Sequence, residues 1–136
     1  MSRVLASGKF DLLHPGHIYY LEKSANLSEN GELWVVITHE DNIENNLFSN
    51  QERKGMLESI KVVDKVVVGK KRVDYEKIIE ETGPDIISIG YDQDKKKLRK
   101  NIKNLYGEVA IEKIGSYRPG KYSSTIFRNT LKENVK

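Results

Sequence analysis

The chain has no cysteine among its 136 residues. This absence excludes a disulfide scaffold and any catalysis by a thiol. Long apolar runs are also missing, since no segment approaches the roughly 20 residues that a membrane-spanning helix needs. The first residues lack the pattern of a signal peptide. We therefore expect a cytoplasmic protein with no membrane partner.

The sequence also lacks a large excess of one charge. Its 23 basic and 20 acidic residues leave a net charge of +3. Because no basic stripe with interleaved aromatic residues is present, we expect no nucleic-acid partner. The small positive excess is equally compatible with an anionic nucleotide as ligand. The length favours one domain, residues 1–136, with one hydrophobic core.

Short apolar runs alternate with longer amphipathic segments along the chain. This alternation is typical of a parallel β-sheet flanked by helices. We predict an α/β fold: a single doubly wound, Rossmann-like domain with a five-stranded parallel sheet and ligands at the carboxyl ends of its strands. The predicted strands span residues 3–7, 33–38, 65–68, 85–90 and 109–114. The predicted helices span residues 15–27, 50–60, 75–81, 95–106 and 124–133.

Two common nucleotide-binding patterns are absent, the dinucleotide fingerprint G-x-G-x-x-G and the P-loop G-x-x-x-x-G-K-[ST]. Instead, the segment GKFDLLHPGH places His14 and His17, two of the three histidines, at a predicted strand-to-helix junction. Residues three apart share a helix face, and the unpaired N–H groups of a helix N-terminus attract phosphate. We expect Gly8 to allow a sharp turn and Gly16 to leave room for the phosphate. The segment therefore fits a phosphate-binding site.

Two alternatives remain open for this histidine pair. The imidazoles could simply cap the helix, as many polar side chains do at such positions. They could also bind zinc, but without cysteine a zinc site would have to recruit His39 or carboxylates such as Asp11. The residues alone do not decide among the three interpretations.

The pattern Gly-x-Phe-Asp-x-x-His-x-Gly-His, present in full at residues 8–17, resembles the signature of the cytidylyltransferase-like nucleotidyltransferases. The resemblance implies that His14 and His17 contact the α-phosphate of a nucleoside triphosphate and stabilise the transition state. Lys9 departs from the closest relatives, which tend to have a small hydroxyl residue there. The residues of this segment assigned to nucleotide binding are Gly8, Lys9, Phe10, His14, Pro15, Gly16 and His17.

Two segments in the middle of the chain resemble the archaeal-type FAD synthase branch of this family. Gly-Tyr-Asp-Gln follows the fourth predicted strand, and the resemblance implies that Asp92 contacts ATP. The alternative for Asp92 is the N-cap of the helix that begins near Asp94. The second segment is residues 51–69, in which Arg53 could reach a substrate phosphate or could equally be a solvated helix residue.

The third family-like segment, residues 116–128, is similar to the closing motif of the superfamily. Ser123 or Ser124 could cap a helix, or the hydroxyl groups could bind the β- and γ-phosphates while Arg128 supplies charge. We assign Arg128 to catalysis together with the histidine pair. The remaining nucleotide-binding candidates here are Tyr117, Tyr122, Ser123, Ser124 and Thr125, and the substrate-binding candidates are Asp11, Arg53 and Arg118.

The resemblance implies an enzyme that moves the AMP group of ATP onto FMN and releases pyrophosphate. We expect a divalent cation, Mg²⁺, that bridges the phosphates and takes few protein ligands, so no fixed protein metal site is predicted. We also expect a homodimer, as in many relatives. One alternative is a CTP-dependent cytidylyltransferase acting on glycerol 3-phosphate, although residues 42–50 lack the lysines that those enzymes commonly present. Another is a catalytically silent nucleotide-binding module.

Overall fold

The fold is an open, entirely parallel β-sheet in a computed structural model, which describes residues 2–102 and 109–115. Within these residues five strands occur in the order β3-β2-β1-β4-β5. Their bounds are β1 Arg3–Gly8, β2 Glu32–Ile37, β3 Lys65–Val68, β4 Ile86–Ile89 and β5 Ala110–Lys113. The prediction of a doubly wound, five-stranded parallel sheet is confirmed.

Four α-helices and one short 3-10 helix connect the described strands. The helices are α1 Pro15–Ala25, α2 Asn50–Glu58, α3 Tyr75–Thr82 and α4 Lys95–Asn101, and the 3-10 helix is Glu40–Asn42. The sequence did not predict the 3-10 helix because three residues carry no usable periodicity. Helices α1 and α2 end two residues earlier than predicted, which is the usual uncertainty at a frayed end. The predicted helix 124–133 and the end of the predicted helix 95–106 lie outside the described residues.

Apolar side chains cover both faces of the sheet, as a parallel sheet requires. On one face α1 and α2 pack over a core that includes Val4, Ala6, Leu21, Leu33, Val35 and Leu57. On the other face α3 and α4 pack over Ile79, Ile87, Ile89, Ile102 and Ile111. No helix in the described part of the chain is long and apolar enough to cross a bilayer.

The strand order reverses at β1. The chain runs from β1 to β2 on one side, and β4 returns to pair with β1 on the other side. In open parallel sheets, ligands bind outside the carboxyl ends of the strands at this reversal. The residues after β1, beginning with Lys9, therefore lie where a ligand site is expected.

Candidate active site

The two histidines after β1 cap helix α1 reciprocally. The Nδ1 atom of His14 accepts a hydrogen bond from the backbone N–H of Gly16 at 3.1 Å. The Nδ1 atom of His17 accepts one from the backbone N–H of His14 at 3.2 Å. Pro15 occupies the first helical position, where its missing N–H costs nothing. The capping alternative is therefore correct as geometry, and it uses only one nitrogen of each ring.

This capping geometry fixes the tautomer of both imidazoles. Because Nδ1 accepts a hydrogen bond in each neutral ring, the proton is on Nε2, which makes Nε2–H a donor. Burial, together with the smaller effect of the neighbouring His14, lowers the pKa of His17 to about 4. Burial also lowers the pKa of His14. The ring centroids are 3.9 Å apart, so the site presents two adjacent neutral imidazoles.

Phe10 packs against His17 and has an uncommon backbone conformation. Its φ of 48° is left-handed, and its side chain is almost fully buried. The ring centroid lies 5.3 Å from that of His17 and 6.3 Å from that of Tyr20. A Cβ on Gly8 would come within 2.8 Å of Phe10 Cε2. The prediction that Gly8 provides the sharp turn is wrong: Phe10 takes the left-handed conformation, and Gly8 leaves room for its ring.

Asp11 is committed to backbone groups of the segment before α2. Its side chain is buried, and its carboxylate accepts hydrogen bonds from the N–H groups of Leu47 at 2.8 Å and Phe48 at 2.9 Å. This arrangement connects the phosphate-site loop to a segment 36 residues further along the chain. Within residues 2–102 and 109–115, no group of three histidines or carboxylates is arranged to hold a metal ion. The zinc alternative therefore has no ligand set there.

Arg53 reaches the same loop from helix α2. Its side chain is fully buried, and Nη1 donates to the carbonyl oxygen of Lys9 at 2.8 Å. Nη2 donates to Oδ1 of Asn50 at 2.7 Å. Burial lowers the pKa of Arg53, while the charges of Asp11 and Glu40 oppose that shift. The solvated-helix alternative is wrong, and direct contact with a substrate phosphate stays a prediction.

Asp92 follows β4 at the carboxyl edge of the sheet and is exposed. It does not cap α4, because Asp94 is the N-cap and accepts from the N–H groups of Lys96 at 2.9 Å and Lys97 at 3.2 Å. The N-cap alternative for Asp92 is therefore wrong. Its contact with ATP stays a prediction that the position at the sheet edge permits.

A cavity of about 340 Å³ opens at the same edge, between the sheet and the helices α3 and α4. Aliphatic side chains form its floor, among them Leu5, Val36 and Ile89. Lys70 and Lys97 also line it. The sequence does not predict this cavity, because its walls come from the ends of several strands and from two helices. No local pattern in the chain marks such a shared space.

A buried polar network beneath α1 was also missed. The hydroxyl of Tyr20 donates to the carbonyl oxygen of Ser88 at 2.8 Å and accepts from the N–H of Ser7 at 3.3 Å. The hydroxyls of Ser24 and Ser88 are 2.7 Å apart. Burial raises the pKa of Tyr20, so its hydroxyl stays protonated. The network fixes α1 to both β1 and β4, and with it the position of the histidine pair.

The remaining predicted site residues lie outside the described residues. They are Tyr117, Arg118, Tyr122, Ser123, Ser124, Thr125 and Arg128. Their assigned roles stay predictions.

The chain is similar in sequence to proteins of known family. Residues 5–130 match the family described as cytidylyltransferase-like. The FAD synthase of Methanobrevibacter smithii is 37% identical and is matched over 92% of this chain and 86% of that protein. The FAD synthase of Thermoplasma volcanium is also 37% identical, over 99% of this chain and 97% of that protein. Each match covers most of this chain and most of the matched protein.

A solved structure is similar as well. The lipopolysaccharide core biosynthesis protein from Thermoplasma volcanium matches with a TM-score of 0.77 and 38% sequence identity. The match covers 86% of this chain and 98% of that one. The likeness in three dimensions therefore covers most of this chain, as does the likeness in sequence.

Proposed function

Because the chain belongs to the cytidylyltransferase-like family and is a nucleotidyltransferase, we propose that it transfers the AMP group of ATP to FMN, giving FAD and pyrophosphate. The similarity to FAD synthases over nearly the whole chain carries the choice of ATP and FMN. The paired neutral imidazoles at the N-terminus of α1 support the reaction type. The same likeness favours ATP over the CTP-dependent alternative.

The reaction needs positioning and charge stabilisation more than covalent catalysis. A phosphate oxygen of FMN attacks the α-phosphorus of ATP in line. The bond from the α-phosphorus to the bridging oxygen breaks, and pyrophosphate leaves with the electron pair. Negative charge builds on the α-phosphate oxygens, where the Nε2–H groups of His14 and His17 donate hydrogen bonds. Because the attacking phosphate is already ionised near pH 7, neither histidine has to act as a base.

We propose Mg²⁺ as the cation. When bound, it neutralises the charge of the triphosphate, and it usually keeps several water ligands and takes few from the protein. Asp92 is exposed at the carboxyl edge of β4, whereas Asp11 is buried against backbone N–H groups. Asp92 is therefore the better placed carboxylate for a cation on the nucleotide.

The cavity between the sheet and α3 and α4 is the site that we propose for the flavin ring. Its volume of about 340 Å³ is in the range of small-molecule sites. Its aliphatic floor suits a large planar ring, and Gly8, which precedes the histidine loop, lines its wall. A ring bound there would extend toward the α-phosphate site through its phosphate-bearing chain.

Incubation of the purified protein with FMN, ATP and Mg²⁺ tests the function. Chromatography should show FAD and an equal amount of pyrophosphate. A parallel panel should replace ATP by CTP, and FMN by riboflavin, glycerol 3-phosphate or a sugar phosphate. A clear preference for CTP, or for a sugar phosphate as acceptor, would contradict the proposal. Absence of FAD with every divalent cation would do so as well.

The proposed oligomeric state is a homodimer. Sedimentation equilibrium should give twice the mass of one chain, and a single-chain mass at the concentrations used for assays would contradict it. The catalytic test does not depend on this result.

A further inference from the structure

Lys9 and Asp11, the residues on either side of Phe10, are both hydrogen-bonded to helix α2 or to the segment just before it. On one side, the carbonyl oxygen of Lys9 accepts a hydrogen bond from Arg53 Nη1 at 2.8 Å. On the other side, the carboxylate of Asp11 accepts two from the N–H groups of Leu47 and Phe48. A left-handed conformation is strained for a bulky residue and persists only where its surroundings hold it. These contacts are what holds it here.

Two hydrogen bonds hold the Arg53 guanidinium in place. Its guanidinium is fully buried, and its second arm donates to Asn50 Oδ1 at 2.7 Å. The same Oδ1 accepts the N–H of Glu40 at 2.7 Å. A buried cation is costly unless it is paired and hydrogen-bonded. Asp11 and Glu40 supply the opposite charge close by, so the cation is retained despite its burial.

The backbone conformation of Phe10 affects the site because its ring contacts His17. That ring lies over Gly8 and contacts the imidazole of His17, with 5.3 Å between ring centroids. If Phe10 relaxed to a negative φ, its ring would leave this place. His17 would then lose one wall of its pocket and become more exposed to water.

We propose that Asp11 and Arg53 are positioning residues, which hold Phe10 in its left-handed conformation and thereby fix the imidazole of His17 against the α-phosphate. The kinetic part of this proposal rests on the proposed function. The structural part concerns only the free protein. It also assigns both side chains a role other than direct contact with a substrate.

NMR of the free protein separates this role from general destabilisation. In Arg53→Gln, the pKa of His17 should rise from about 4 toward the ordinary value near 6.5, because the imidazole becomes solvated. The ring-current shifts that Phe10 imposes on His17 should decrease. Well below the melting temperature, kcat should fall at least about tenfold, since misplacement by about 1 Å can cost up to 10²-fold. KM for ATP should change less than kcat.

Leu57→Ala is the matched control. Leu57 is fully buried in the same helix α2, so its truncation destabilises the packing of α2 without touching the contacts to Lys9 or Asn50. It should lower the melting temperature but leave the pKa of His17 unchanged. Arg53→Lys keeps the charge and can restore one of the two hydrogen bonds, so it should recover part of kcat.

Asp11→Asn is the second variant, chosen because it preserves shape if Arg53→Gln fails to fold. Its amide oxygen can still accept one backbone N–H, and the expected shift in His17 is in the same direction but smaller. An unchanged His17 titration and unchanged ring-current shifts in both variants would overturn the proposal. A loss of kcat with those two NMR signatures unchanged would instead indicate direct substrate contact, and would also overturn it. If the wild-type protein made no FAD, the NMR comparison would still test the structural part of the proposal.

Discussion

Helices α1 and α2 begin with the same hydrogen-bonding arrangement made from different residues. In α2, Ser49 Oγ accepts the N–H of Glu52 at 3.2 Å, and Glu52 Oε1 accepts the N–H of Ser49 at 3.0 Å. In α1, His14 and His17 replace that serine and glutamate. Both pairs satisfy N–H groups that the helix itself leaves unpaired. The difference is that each imidazole has a second nitrogen that can donate, which a glutamate lacks.

The charges at the two helix starts differ in the same sense. Glu52 gives α2 an acidic side chain in its first turn, so the positive end of that helix is already neutralised. The first turn of α1 contains no acidic residue. The positive end of α1 is therefore available to an incoming anion. An ordinary cap completes a helix, whereas the histidine cap completes the helix and leaves it able to bind a phosphate.

The largest effect is expected when the cap of α2 is transplanted onto α1. In the double variant His14→Ser, His17→Glu, the helix keeps an N-terminal capping box, so the melting temperature should change little. The rate of FAD formation should fall by at least about 10³, because each lost donor costs about 10² to 10³ and the new carboxylate repels the nucleotide.

A matched change at α2, Ser49→Thr with Glu52→Gln, should leave that rate unchanged. It keeps the capping interactions and replaces none of the groups that bond to Asp11 or to the Arg53 side chain. Activity of the α1 double variant within tenfold of wild type would mean that the histidines serve only as caps.

A smaller loss is expected from one histidine alone. His17→Ala removes one donor to the α-phosphate, and kcat should fall about 10²- to 10³-fold. Affinity for ATP, measured by calorimetry, should change far less, because the backbone N–H groups of the helix start remain. If pyrophosphate release is undetectable in wild type and ATP still binds, the silent-module hypothesis is correct instead.

The next smaller effect is expected from the packing of Phe10 against Gly8, next to the histidine pair. Gly8→Ala places a Cβ where Phe10 Cε2 lies within 2.8 Å, and overpacking of this kind costs typically about 1–3 kcal/mol. Urea unfolding should show that loss, and kcat should fall because the displaced ring no longer holds His17. Gly55→Ala is the control: it lies in α2 with nothing near its would-be Cβ. It should gain roughly 0.5–1 kcal/mol, and a destabilised Gly55→Ala would undermine the comparison.

The features that the sequence predicts are those that depend on neighbouring residues. The histidine segment is contiguous, so its pattern and its place after a strand are visible in ten neighbouring letters. The parallel, doubly wound sheet follows from the alternation of short and long apolar patterns. Asp11 and Arg53 were recognised as candidates, but their partners lie 36 and 44 residues away. Only the folded chain reveals contacts between residues that far apart, and so these partners were not predicted.

The cavity and the left-handed conformation of Phe10 also depend on residues far apart in the chain, so the sequence did not predict them. Phe10 has no property in the sequence that indicates a positive φ, since bulky residues seldom adopt one. Contacts across the loop impose that conformation. The cavity likewise depends on how far α3 and α4 lie from the sheet, which side-chain packing determines. Local propensity therefore predicted the elements, and long-range contacts determined the detailed shape of the site.

An effect of pH on stability tests the imidazole cap in the free protein. His17 has a pKa of about 4 in the folded chain and about 6.5 when unfolded. Between these values the unfolded chain binds more protons, so stability should be constant above pH 6.5 and fall as the pH decreases toward 4. The total loss is at most about 3 kcal/mol, and chemical denaturation at several pH values measures it.

Histidine titration by NMR gives the same comparison at the level of one ring. Protonation of Nδ1 of His17 would remove the hydrogen bond that it accepts from the N–H of His14. Bound ATP should raise the pKa of His17, because the α-phosphate stabilises the charged imidazolium. A titration midpoint near 6.5 in the free protein would show that His17 is solvated, and a midpoint unmoved by ATP would show that it does not face the nucleotide.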